Sequence, residues 1–278
     1  MSPVKGLAVV PQQQIQLGTE GVAEDRRVFL LRANETVATI RRFPTLVRVT
    51  PELDLDAGVL GVTFPDGHTV TSELAAAAAG EEASARLFGK DRSGRVLPGP
   101  VADALSDYVG EPLRVVVADR TGVGWDEGPA SLVGEASVAA VETPPGANGS
   151  GSARYRMLIE VEGTEPYEED SWVGQDVRVG RSLLRVTHSL ERCVVITYSP
   201  QDGSKDWAGL AAIPEHRGQL TLGVIARVLD PGVVRVGDRV EVRRRHPTSG
   251  PTGRAAKVTR RPKPGPTESP AKAGVRAR

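Results

Sequence analysis

Short apolar runs, mostly β-branched and separated by Asn, Pro, Asp and Gly, dominate the first 70 positions. Val28-Phe-Leu-Leu-Arg, Thr36-Val-Ala-Thr-Ile-Arg and Leu46-Val-Arg-Val-Thr each have the length and composition of a strand. The stretch from Val59 to Val70 predicts a hairpin, with Asp66-Gly67 as a two-residue turn between alternating runs. The Ala- and Glu-rich segment from Ser72 to Phe88 has no decisive period, and Gly80 interrupts it. Pro100 to Gly110 predicts a helix, with proline at its start and glycine at its end, and Leu113 to Ala118 a strand after it.

From Asp126 the pattern reads as a loop followed by a short helix over Ala130 to Val141, then a Pro/Gly/Asn/Ser connector from Pro144 to Ser152. Strands are expected at Arg156 to Val161, Asp176 to Val179, Leu183 to Thr187, Cys193 to Tyr198, Leu220 to Val228 and Arg239 to Arg243, a spacing that suits a barrel. Beyond Arg243 the chain is rich in Pro, Gly, Lys and Arg and poor in large apolar residues. Such a segment buries too little surface to offset its ordering entropy, which predicts a disordered basic tail.

Length and composition suit a globular protein of two modest domains: 278 residues, 39% hydrophobic. Lys plus Arg and Asp plus Glu are each 35, so overall charge selects no polyanionic partner, and 4% aromatic residues leave little for stacking on bases. Nucleic acid is not expected as a partner beyond weak contact by the basic tail, and that tail reads first as a solvated terminal segment with only charge to bind with. The apolar stretch near Met1 is too short for a signal-peptide core or a membrane span, so a cytoplasmic protein without membrane contact is expected.

No phosphate-cradling Gly-x-x-x-x-Gly-Lys loop, Gly-x-Ser-x-Gly elbow or His-Glu-x-x-His helix is present. The four histidines show no metal-ligand spacing; His188 reads as a hydrogen-bonded structural residue. What remains is the single cysteine, Cys193, preceded by Arg192 and followed by the turn Ser199-Pro-Gln-Asp-Gly203. Read alone it is a small buried hydrophobe; beside a guanidinium it is also a thiolate suited to a soft metal.

Glu191-Arg-Cys-Val-Val-Ile-Thr-Tyr-Ser-Pro-Gln-Asp-Gly203 resembles the Arg-Cys-x-x-x-Thr-x-Asp-Pro-x-x-Gly signature of MOSC domains, named for the C-terminal part of molybdenum-cofactor sulfurases. Further segments are similar to motifs of that family, in its order: Pro3-Val-Lys-Gly, Asp25-Arg26 with Phe29-Leu-Leu, Thr39 to Pro44, Asp126 to Ser137, Arg154-Tyr-Arg, Tyr167 to Trp172, and Pro231 to Asp238. The match departs at His188-Ser-Leu-Glu, where the family has Pro-Cys. It departs also at Gly6, at Ser199 in place of Asp, and at Met157-Leu158 in place of Pro-Asn.

The resemblance implies a mainly β protein with minor α: an N-terminal MOSC-associated β-barrel over residues 1–95, a MOSC β-barrel over 96–245 and a disordered tail over 246–278. It implies a molybdenum cofactor whose metal is bound by Cys193, the catalytic ligand, and whose phosphate is held by Lys5, Arg26, Arg156 and Arg41. It further implies an oxidoreductase that reduces a small N-hydroxylated or other N–O substrate with electrons from an external donor protein. Two alternatives stand beside it. One is a persulfide carrier or transferase through Cys193, with sulfur from a partner because no lysine-centred pyridoxal phosphate site is legible. The other is a non-catalytic cofactor-binding module, which Leu158 and Ser199 make credible.

Overall fold

The structure is a computed structural model that describes residues 1–87, 89–141 and 151–243. The connector expected at 144–152 falls largely outside these residues, and the tail expected over 246–278 entirely outside them. The described part is mainly β with minor helix, as the sequence implies. No helix among the described residues is long and apolar enough to cross a membrane.

Two groups of sheets divide the apolar surface. In the first, Val28–Arg32, Leu113–Ala118, Lys90–Leu97 and Glu82–Leu87 pair in that order, beside a meander of Thr50–Asp54, Val59–Thr63 and Thr69–Glu73. Leu30, Leu46, Leu60, Leu97, Leu105 and Val115 fill the core they share. Each such side chain contributes roughly 1.5–3 kcal/mol on burial. The helix Pro100–Val109 lays Val101 and Leu105 into this core, so residues 96–118 pack with the first group.

In the second group a six-stranded sheet runs Ile159–Val161, Ala130–Gly134, Thr221–Asp230, Ser182–Glu191, Asp176–Val179, Val240–Arg243. Leu132, Val177, Leu184 and Val224 build its core, joined by Leu17 and Val22 from near the start of the chain. That contribution follows from pairing, because Gln14–Gly18 runs antiparallel to Gly232–Arg235. The two halves are therefore interwoven rather than strung in sequence.

Several local expectations are corrected. The apolar half of the helix expected over 130–141 is the strand Ala130–Gly134, held between Ile159–Val161 and Thr221–Asp230; only Glu135–Ala140 is helical. Thr36 to Arg41 forms no strand and makes a single bridge, Val37 to Leu31. Pro44–Arg48 is a 3-10 turn that places Leu46 and Val47 inward. The hairpin at 59–73 is present, but its loop holds three residues: Phe64 pairs with His68, and Gly67 N donates to Phe64 O. The unassigned segment after Ser72 resolves into a 3-10 turn, Leu74–Ala79, and the strand Glu82–Leu87.

Candidate functional site

Cys193 follows the strand Ser182–Glu191 by one residue, and its thiol is free and exposed. The buried-hydrophobe reading of this cysteine is thereby corrected. So is the strand expected over 193–198: Cys193 is extended (φ −113°, ψ 173°) and caps a 3-10 turn, Val194–Thr197. The apolar run does not alternate, because the consecutive Val194 and Val195 face one surface and Ile196 another. Ile196 enters a core with Tyr155, Ile213 and Leu222, while Val194 and Val195 pack on Ile40, Val47 and Tyr198. Thr197 closes the turn by donating from Oγ1 to Val194 O at 2.7 Å.

Arg192 is buried, and its Nη2 donates to Tyr155 O at 2.7 Å while Nη1 reaches Met157 Sδ at 3.4 Å. Its Nε is enclosed without a partner, and the guanidinium pairs with no carboxylate among the described residues. Burial holds its pKa down to about 10, opposed by the negative forms of Cys193 and Tyr155. At neutral pH it is a buried cation held by neutral groups, the Tyr155 carbonyl, the Met157 sulfur and the Tyr155 ring.

Three consecutive residues link this turn to a second cluster. Arg154, buried, donates to the carbonyls of Ile196 and Tyr198 and forms a forked pair with Asp206. Tyr155 accepts from Arg192. Arg156, in the left-handed region at φ 54°, turns its side chain the other way, to Ser2 Oγ at 2.6 Å and Leu7 O at 2.8 Å.

There Arg156 meets the cations of the N-terminal part. Lys5 is buried and donates to Gly124 O at 3.1 Å and Asp126 Oδ1 at 2.6 Å. Arg26, also at positive φ, pairs with Asp25 and donates to Arg156 O at 3.1 Å. Arg92, 2% exposed, lies 3.8 Å from Asp126. Four cations thus converge on two carboxylates, Asp25 and Asp126, an excess of positive charge that suits an anion. Burial pushes Lys5 down to about 8 and Arg156 to about 10, Asp126 opposing both. For Arg26 burial is outweighed by Asp25 and Asp126, which raise its pKa.

The structure therefore brings Lys5, Arg26 and Arg156 together and joins them to Cys193 through Arg154 and Tyr155. Arg41 stands apart: it is exposed, next to Ile40, which packs on the Cys193 turn. His188 is half exposed and its Nδ1 meets the Thr187 hydroxyl at 2.9 Å. Trp172 is a core residue, and Asp170 pairs with Arg217. Asp25, Arg92 and Asp126 were missed as site residues. Asp25 and Asp126 stand inside quoted motifs, whereas Arg92 sits in a polar strand with no signal. A cleft of about 1080 Å³ opens between the edge strands Ile159–Val161 and Val240–Arg243; it reaches Met157, Pro200 and Gln201 but not Cys193.

The MOSC N-terminal beta barrel domain matches residues 1–112, and the MOSC domain matches residues 119–241. The chain belongs to the MOSC family. The MOSC part carries Cys193, Arg154 and Arg156, and the N-terminal part carries Lys5 and Arg26. This MOSC chain is 25% identical over 230 residues to mitochondrial amidoxime-reducing component 1 of Xenopus laevis, across 72% of its own length and 64% of the relative's. It also resembles the solved structures of YiiM from Escherichia coli (18% identical, 42% of this chain and 55% of that one, TM-score 0.32) and from Geobacillus stearothermophilus (17%, 44% and 57%, TM-score 0.32). It thus spans less than two thirds of each of these proteins.

The MOSC signature departs here at Ser199, and the structure gives a physical account of that change. The Ser199 hydroxyl accepts from Gln201 N at 3.2 Å, the local side-chain bond that an aspartate makes in such turns.

Proposed function

We propose that this MOSC protein holds a molybdenum cofactor through Cys193 and reduces N-hydroxylated or other N–O compounds with electrons from a separate redox protein. The observation that carries this reading is the junction at Cys193, in which an exposed thiol follows a buried arginine that pairs with no carboxylate among the described residues and is tied through Tyr155 to a cluster with surplus positive charge. The residues fit the group. Cys193 offers a soft sulfur ligand, and Lys5, Arg26 and Arg156 offer a point charge and planar forks for a phosphate. The orphaned Nε of Arg192 is a donor still without an acceptor.

MOSC domains are associated with the molybdenum cofactor, and the relative from Xenopus laevis is named for reducing amidoximes, themselves N-hydroxylated compounds. When bound, the cofactor would supply a two-electron redox centre for reducing an N–O bond, the electrons coming from the donor protein and the oxygen leaving as water with two protons. The chain's own work is placement. Arg154 and Asp206 fix the turn after the sulfur, Arg192 keeps positive charge beside it, and the cation cluster neutralises the anionic end of the ligand. The exposed thiol also suits a second reading, persulfide carriage through Cys193, with sulfur from a partner.

The experiment is metal and pterin analysis of protein purified from a host that makes the cofactor, alongside Cys193→Ser. Near-stoichiometric molybdenum in the native chain, lost in a folded variant, is the expected result. Unchanged metal in Cys193→Ser overturns the ligand assignment. Absence of both metal and pterin from folded native protein overturns the reading and favours the persulfide carrier.

A further inference from the structure

Arg154 is 1% exposed, and among the described residues its side chain hydrogen-bonds to residues after Cys193. Nη1 lies 3.2 Å from Ile196 O, 3.0 Å from Tyr198 O and 2.7 Å from Asp206 Oδ1; Nη2 lies 2.8 Å from Asp206 Oδ2. The plane of the guanidinium is further limited by Trp207, whose ring centre lies 5.7 Å away. A short 3-10 turn leaves its last carbonyls without intraturn donors, and one rigid fork here supplies two of them. The residue on the other side of the thiol, Arg192, is held by position 155. Adjacent residues therefore grip the chain both before and after Cys193, and neither touches the sulfur.

We propose that Arg154, oriented by Asp206, is a positioning residue for the Cys193 thiol, fixing the sulfur at a set distance from Arg156 and the cation cluster. The proposal rests on the reading that Cys193 is the working ligand, and it deepens that reading by naming what holds the ligand in place. Lysine keeps the charge of Arg154 but cannot offer two parallel donors to Asp206 while holding two carbonyls, so Arg154→Lys tests geometry rather than charge. Asp206→Asn keeps an acceptor and leaves both carbonyl bonds available, so it is the milder variant.

Cys193 is the only cysteine, so a nitroxide reagent labels one site. Electron paramagnetic resonance of the labelled, cofactor-free chain reads the order of the turn directly. A control, Arg185→Lys, alters an ion pair with Asp176 that touches neither the turn nor Arg154. In samples with native circular dichroism, Arg154→Lys should shorten the nitroxide correlation time by about two-fold or more, on a timescale of nanoseconds. Asp206→Asn should move it less in the same direction, and Arg185→Lys should match the native spectrum.

A folded Arg154→Lys protein with a native nitroxide spectrum overturns the proposal. If that variant does not fold, Asp206→Asn decides: a loosened label supports positioning and a native spectrum overturns it. Molybdenum in the unlabelled native chain is measured separately. A loosened turn in a chain that carries no metal upholds the positioning role while overturning the metal-ligand reading.

Discussion

Arg192 and Tyr155 are joined by a 2.7 Å hydrogen bond from the guanidinium Nη2 to the main-chain carbonyl, and the guanidinium carbon lies 5.4 Å from the centre of the same tyrosine's ring. One bond thus fixes the residue before the thiol to the residue before Arg156. Because Arg156 in turn holds Ser2 and Leu7 and receives Arg26 on its carbonyl, the thiol and the cations form one connected site. Its charges are held by few acceptors, and that shortage makes the site sensitive to pH and to ligands.

Lys5 gives the pH dependence. Its pKa is held down to about 8, first by burial and against the pull of Asp126, from an unfolded value of 10.5. Below pH 8 both states carry the proton and the folded state bears the full penalty of a buried ammonium. Between 8 and 10.5 the unfolded chain keeps a proton that the folded chain has released, so unfolding free energy rises with pH through that window. Replacing Lys5 with Met removes this contribution. In urea titrations the native chain should gain about 2 kcal/mol relative to Lys5→Met between pH 8 and 9.5. Parallel pH curves for the two proteins would show that Lys5 keeps an ordinary pKa.

Ligand binding should show the same group with the opposite sense. An anion in the cluster favours the protonated ammonium, so retention of pyrophosphate or of the cofactor is expected to weaken as pH rises above 8. Equilibrium dialysis across pH 7 to 9.5 reads this, and Lys5→Met should bind more weakly with a flatter profile. A native profile that stays flat through pH 9.5 would remove Lys5 from the anion site.

Much of the fold could be read from local pattern, and the exceptions share a cause. The strands at 28–32 and 113–118 were legible because both of their faces are buried, Val28, Leu30, Leu113 and Val115 in one core and Phe29, Leu31, Val116 and Ala118 in another, so each reads as a short continuous apolar run; 176–179 and the helix after Pro100 agree with their periods because each faces one core. Ala130 to Val141 and Cys193 to Tyr198 do not, since partners far along the chain decide them. The neighbours of Ala130–Gly134 are 159–161 and 221–230, and the residues after Cys193 divide between two cores. Lys5, Arg26, Arg156 and Cys193 were named through motif resemblance, but their union rests on Arg154-Tyr155-Arg156, whose role no spacing announces. Arg92 was invisible because its burial comes from packing beside Trp125 and Asp126.

Gly203 ties the turn after Cys193 to the N-terminal part. It lies at φ +79°, and a Cβ there would come 2.3 Å from Pro44 O, a main-chain atom that cannot move aside cheaply. Gly67, at φ +87° in the 59–73 hairpin, has open space where its Cβ would be. Gly67→Ala should therefore carry backbone strain alone, about 1 kcal/mol, and Gly203→Ala that strain plus the clash, about 3 kcal/mol or more. Chemical unfolding of the two variants checks the difference. Equal losses would mean that the Pro44 contact relaxes without cost.

Tyr155 supplies the last test, because its two polar groups have opposite fates. Its carbonyl is held by Arg192, whereas its hydroxyl is enclosed without a partner and burial pushes its pKa up to about 12. An unsatisfied buried hydroxyl destabilises the fold, and removing it while keeping the ring leaves the contacts with Arg192 and Trp207 in place. Tyr155→Phe should therefore raise the stability of the cofactor-free chain by about 1 kcal/mol, read as a higher urea midpoint with unchanged slope. The same substitution should leave the nitroxide spectrum at Cys193 unchanged, since the bond that positions Arg192 comes from the main chain. A lower midpoint would show that the hydroxyl has a bound partner, with a buried water the simplest candidate. A loosened label would show that the hydroxyl, and not the carbonyl alone, helps to hold Arg192.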